Sequence, residues 1–322
     1  MQIERPKIEL YQVRSFGEKF SAIFEFIREN FKFLLRACTY LLLPLCLVQG
    51  FAMEMMMKVL DMGEDVDVAQ GMLLRFGASY VGYGICLLIG STLLAGICYS
   101  MVKYYHKSPN RLRNTTLSDL KPIIIQVIKR SLLMTVVLVA LFIVVLVLII
   151  SFAAITSAPI LAVIPILALV VCCLPVSMAL PVYVFEDEET LFSSITRGLK
   201  LGFHSFWSLF GLMFVIGFLT NILSSFTSIP WYILTVVKSV LLATDTTQSS
   251  FAASPVYSFF VYLSSVFMNF GMYLTMTIST FALAFHYGSI AEEEDGFSVE
   301  DDIQHFEELA EKDTDIDNFG KL

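Results

Sequence analysis

Charge is scarce in this sequence. Only 16% of its 322 residues are Asp, Glu, Lys or Arg, against about a quarter in a soluble chain. Residues 131–185 hold none at all. A run of that length cannot face water, which excludes an ordinary soluble enzyme or regulator. Metal and disulfide patterns are missing too. Cys38, Cys46, Cys86, Cys98, Cys172 and Cys173 fall inside apolar stretches without C-x-x-C or Cys/His spacing, and read as small packing residues. No P-loop, H-E-x-x-H, G-x-S-x-G or kinase signature occurs, so the expectation is a non-enzyme without a cofactor. His106, His204, His286 and His305 are scattered and read as solvated or interfacial. No clustered basic face exists, which excludes nucleic acid as a partner. A cleavable signal peptide is not expected, because the first apolar run comes late and residues 1–32 are mixed in charge.

What is present is apolar and aromatic. The chain is 57% hydrophobic, with 28 Phe and 13 Tyr, and its mean hydropathy is +0.74. Spans are expected at 37–57, 78–102, 206–227 and 255–287, with two more inside 131–185. Pro159 places the turn between those two, since proline disfavours helix at the preceding residue. Pro165, Pro175 and Pro181 should kink the fourth span, as membrane helices tolerate. Within the second span, Gly82, Cys86 and Gly90 lie four apart, a small-residue row that lets helices approach.

Between the spans lie segments too polar to cross. Residues 16–35 repeat Phe16, Phe20, Ile23, Ile27, Phe31 and Leu34 at helical spacing with charges on the other face, which suits the interface plane. A second such helix opens at Thr116-Leu-Ser-Asp119, which has capping-box spacing, and a third covers 187–203. Residues 231–243 are apolar but short, and read as interfacial or re-entrant. The expected fold is all-α: six transmembrane helices in three hairpins, each preceded by a cytoplasmic interfacial amphipathic helix, in units starting near 16, 116 and 186. The expected domains are an N-terminal segment (1–36), a membrane domain (37–290) and an acidic tail (291–322).

Basic residues set the orientation. With the N-terminus inside, the segments 1–36, 103–130, 186–205 and the tail hold 18 of the 21 Lys and Arg. Lys58, Arg75 and Lys238 remain outside. Both termini are therefore expected in the cytoplasm. From residue 291 onward there are 13 acidic residues and two lysines. Val299, Ile303, Phe306 and Leu309 recur there at helical spacing, either in a solvated tail or in a short helix that meets a basic membrane-protein partner.

Ionisable groups inside lipid are functional candidates. Arg36 and Glu54 alone qualify, near the ends of the first span, where snorkelling also accounts for them. Asn221 and Asn269 lie deeper, and either bond between helices or line a path. In 187–203, Thr190, Ser193, Arg197 and Lys200 share one face, and Phe192, Ile195, Leu199 and Phe203 another. Glu186, Arg197 and Lys200 are the candidate lipid or partner contacts, with the bilayer itself the first partner.

The stretch Leu180-Pro-Val-Tyr-Val-Phe-Glu186, then Leu191-Phe-Ser-Ser-Ile-Thr-Arg197-Gly-Leu-Lys-Leu-Gly202, then Phe206-Trp-Ser-Leu-Phe210 carries a family pattern. It resembles bacterial multi-pass proteins related to the membrane domain of glycerophosphodiester phosphodiesterases. That resemblance implies an inner-membrane protein consisting of the membrane module. It implies no phosphodiesterase activity, because those enzymes carry a soluble catalytic domain that this sequence lacks. The expected function is a non-enzymatic accessory or scaffold for other membrane proteins. The alternative is a transporter or lipid-handling protein, which a cavity lined by Asn221 or Asn269 would favour.

Overall fold

A computed structural model describes residues 6–61, 69–109, 111–112, 115–156, 159–243, 251 and 254–297. Among these residues the chain is helical, without strands. The order is α1 (Phe16–Asp61), α2 (Ala69–Lys107), α3 (Leu117–Ile155), a 3-10 turn (Pro159–Ala162), α4 (Val163–Val176), α5 (Ala179–Phe185), α6 (Leu191–His204), α7 (Phe206–Ala243) and α8 (Pro255–Asp295). Six stretches are long and apolar enough to cross a bilayer, with α4 and α5 together forming one. The protein is an all-α, multi-pass membrane protein.

Residues 16–35 are helical as expected, but they are not a separate element. They continue into the first span as one 46-residue helix, about 70 Å long at 1.5 Å per residue. The cause is phase. Ile23, Phe26, Asn30, Leu34, Cys38, Leu42 and Cys46 are all buried, in steps of three or four across the expected boundary. One stripe of that kind needs one straight helix. The hydrocarbon layer is about 30 Å thick, so α1 projects well beyond it.

The second interfacial segment is likewise the first part of a longer helix, α3. Its start is capped as expected, with the Asp119 carboxylate accepting the Thr116 amide at 2.8 Å. Residues 231–243, expected to stand apart, continue α7 through Pro230. Packing holds them: Trp231, Tyr257 and Val261 form a buried cluster, and the Tyr257 hydroxyl donates to the Leu234 carbonyl at 2.7 Å. The fourth span breaks at Ser177–Met178, between α4 and α5, where Pro175 and Pro181 were expected to disturb it.

Helices α1, α2 and α8 form the centre; α7 packs on α8, and α3 on α2. The outer part of the α3–α4 hairpin faces outward, with Leu148 63%, Ile164 76% and Leu167 64% exposed, as suits lipid. Of the small-residue row on α2, Gly90 is a close contact, where a Cβ would overlap the Tyr273 hydroxyl. Gly82 meets nothing, so the row packs at one end only.

The two described ends of the chain meet. The Tyr11 and Phe297 rings lie 4.9 Å apart. Residues 6–15 lie extended across the ends of α2 and α8. Leu10 is buried there, with its carbonyl against Gly288, and the Arg14 amide donates to Ser289 Oγ at 3.0 Å. This end of the bundle is called the terminal face below.

Candidate functional site

Polar residues converge at the terminal face where α5 ends. Glu186 leaves the helix with an extended backbone, φ −94° and ψ 99°. Extended residues alternate in direction, so Glu186 and Asp187 serve different helices. The Tyr287 hydroxyl of α8 donates to Glu186 Oε1 at 2.7 Å. Arg197 of α6 lies 3.0 Å from the same oxygen, an ion pair whose Nε–H is not aimed at it. The other end of Arg197 donates to Asp295 at 2.7 Å. On the opposite side, Asp187 accepts from Lys103 of α2 at 2.6 Å and from Arg130 of α3 at 3.1 Å. Lys103 also donates to the Val184 carbonyl at 3.2 Å, and Arg130 to the Tyr183 carbonyl at 2.9 Å. Cations thus satisfy the carbonyls that the end of α5 leaves open. Five helices are fastened at two adjacent acids.

The electrostatics fit that role. Burial pushes the Glu186 carboxyl above its usual range, and the Tyr287 hydrogen bond and Arg197 pull it partly back. Tyr11, beside Tyr287, is pushed up to about 12, mainly by burial.

Helix α6 is placed by a face of small residues. Ser194, Gly198 and Gly202 lie four apart and are buried. A Cβ on Gly198 would stand 2.5 Å from the Ala179 backbone, and one on Gly202 2.6 Å from that of Pro175. The expected apolar face divides: Ile195 turns inward at 9% exposure, while Phe192 and Phe203 stand 76% and 52% exposed. The expected polar face is not uniformly solvated either, because Arg197 is pinned between two acids.

The remaining candidates separate widely. Lys200 sits on the rim, 4.0 Å from Glu294. Arg36 is exposed and Glu54 half-buried, both on α1. Asn269 is buried; it accepts from the Tyr83 hydroxyl of α2 at 3.0 Å and donates to the Ser265 carbonyl at 2.8 Å. Asn221 is exposed on α7, with its amide donating to the Gly217 carbonyl at 2.9 Å. The structure brings Glu186 and Arg197 together and leaves the others apart. The residues 298–322 of the acidic tail, with His305, lie outside the described residues.

Two polar features were not anticipated. Gln49, inside the first span, is fully buried and donates to the Tyr273 hydroxyl at 2.6 Å; a lone amide in an apolar run was its signal. His286, expected at an interface, is buried too. Its Nδ1 lies 3.3 Å from Lys19 Nζ and its Nε2 3.1 Å from Ser205 Oγ. Lys19 can only donate, so Nε2 carries the proton and gives it to Ser205. Ser205 in turn donates to the Leu201 carbonyl at 2.9 Å. In that chain the imidazole is a donor to the serine, the reverse of what a nucleophilic serine needs. The group joins α1, α6 and α8.

An open hollow of about 450 Å³ lies under residues 6–15, lined by Lys7, Gln12, Arg14, Glu18 and Glu25 among others. Its buried cation, Arg14, donates to the carbonyls of Glu9, Leu10 and Gln12, so its donors are already committed. Among the described residues, no group of three or more His, Cys, Asp or Glu could hold a metal. No family model, curated protein or solved structure matches the chain.

Proposed function

We propose that the chain is a non-enzymatic accessory or scaffold module of a bacterial inner membrane, with both termini in the cytoplasm. One observation carries the reading. The two acids at the end of α5 are each spent on neighbouring helices: Glu186 on Arg197 and Tyr287, Asp187 on Lys103 and Arg130. Such a junction fixes helix positions and holds back no acid, base or nucleophile for a substrate. A transporter would be favoured by a cavity lined by Asn221 or Asn269. Asn269 is instead occupied between α2 and α8, which counts against it.

The acidic tail is the proposed contact for clients, and the outward Phe192 and Phe203 of α6 hold that helix in the cytoplasmic interface. The test is purification of the full chain, and of a chain lacking residues 298–322, in mild detergent. Membrane proteins that co-purify with the full chain and are lost from the truncated one are the expected result. No enrichment over a tag-only control, or solute flux in proteoliposomes of the pure protein, would overturn the reading.

A further inference from the structure

The other span amides are enclosed by their own chain. Gln49 is buried with its amide donating to Tyr273 and its Oε1 left without a partner among the described residues, and Asn269 is buried and bonds to Tyr83 and Ser265. Asn221 differs in its surroundings. It is exposed, yet it lies far inside a span. Trp207 and Tyr232, 80% and 58% exposed, bracket the outward face of α7. Asn221 is about 21 Å along the helix from the first and about 16 Å from the second, at 1.5 Å per residue. With a hydrocarbon layer about 30 Å thick, its amide sits among acyl chains. Nδ2 donates to the Gly217 carbonyl, while Oδ1 has no partner among the described residues. The nearby Ser225 hydroxyl does not help, because it donates to the Asn221 backbone carbonyl at 2.8 Å. A polar group left so in lipid is costly.

Gly217 supplies an independent observation. It lies one turn before Asn221 on the same face, and a Cβ there would meet nothing within 4 Å. The glycines at 198, 202, 271 and 288 each make room for atoms of this chain, whereas Gly217, like Gly77, Gly82 and Gly84 of α2, opens on unfilled space, although glycine within a helix is unfavourable. Gly217 is distinguished from those three by the exposed amide of Asn221 one turn on. Gly217, Asn221 and Ser225 form a line at i, i+4 and i+8 that would let another helix backbone approach. Phe218, 65% exposed, borders it.

We propose that this face of α7 is the interface between two copies of the chain, related by a two-fold axis along the membrane normal, with the two Asn221 amides bonded to each other. A second copy fits for two reasons. Copies of one chain insert in the same orientation, so a two-fold axis brings Asn221 to its mate at the same depth. A primary amide carries both donor and acceptor, so two facing amides satisfy each other without a polar group from any other protein.

Cross-linking in native membranes tests this, with the unaltered chain as background. Ser225→Cys should give a covalent dimer on mild oxidation. Phe226→Cys, one residue on and turned about 100° around the helix, should not. Adding Asn221→Leu to Ser225→Cys should lower the dimer at least about fivefold, while Asn221→Gln, which keeps the amide, should retain it. Monomer melting in detergent should be unmoved by Asn221→Leu, since that side chain is exposed in the single chain. Equal cross-linking at 225 and 226, a dimer indifferent to Asn221→Leu, or linkage of Ser225→Cys to a different protein would each overturn the proposal. Should Asn221→Leu fail to accumulate, the comparison of 225 with 226 still decides.

Discussion

Glu186 and Asp187 differ in what each leaves behind if its partner is removed. Arg197 and Glu186 have side chains 28% and 11% exposed, so Arg197→Gln strands a largely buried carboxylate. A cost of about 1–3 kcal/mol is expected, read as a lower melting temperature in detergent. Glu186→Gln should be milder, because its amide oxygen still accepts from Tyr287. The pH dependence follows from the raised Glu186 pKa. The folded state holds that proton more tightly than the unfolded one. Its stabilising contribution is therefore complete below the ordinary carboxyl value of 4.5 and fades as pH rises through the raised value. Melting of Glu186→Gln should lack that component. Identical pH profiles for the two proteins would refute the assignment. At Gly90 the prediction is steric: Gly90→Leu displaces Tyr273 and breaks its bond with Gln49. Overpacking of this kind costs about 1–3 kcal/mol, while Leu87→Ile should leave melting nearly unchanged.

At the scale of elements, much was legible and the omissions have identifiable causes. Helix positions followed from apolar runs, and the break before α4 and the kink before α5 followed from prolines, because these signals are local. The length of α1 was legible as well, in the unbroken stripe from Ile23 to Cys46; the charges of 18–32 obscured it. The docking face of α6 lay in plain view as Ser194, Gly198 and Gly202, but small residues have no hydropathy to announce them beside Phe192 and Phe203. The Lys19–His286–Ser205 chain was not legible, since its members are separated by 267 and 81 positions and nothing local marks the pairing. The α6 docking gives a further prediction. Single cysteines at 196 and 200, both exposed, should react quickly with a water-soluble maleimide. Those at 194 and 201, both buried, should react slowly. Cysteines at 192 and 203 should react quickly in a detergent that leaves this surface open and slowly in nanodiscs. Fast reaction in both would remove α6 from the membrane interface.

For the whole molecule, the packing gathers the described ends and the cations of the α5 junction on one face. Residues 6–15 lie on the ends of α2 and α8, and Tyr11 touches Phe297, so both described ends share one face. The same face holds Lys103, Arg130 and Arg197 at the α5 junction. Among the described residues, these cations from the segments 103–130 and 186–205 thus meet on one surface. Lys58, Arg75 and Lys238 fall near the opposite ends of α1, α2 and α7. Insertion keeps loops rich in Lys and Arg on the cytoplasmic side, and a bundle packed this way cannot place residues 6–15 on one side and 291–297 on the other. The orientation is therefore a single two-way choice for the entire chain. Reporter fusions after Arg113, Glu189 and Leu322 should be active only with a cytoplasmic reporter, and a fusion after Thr247 only with a periplasmic one. A periplasmic signal at Leu322 together with a cytoplasmic one at Thr247 would invert the whole topology. A mixed pattern, with Arg113 and Glu189 on opposite sides, would contradict the α5 junction itself, because Lys103 and Arg197 could not then meet its two acids.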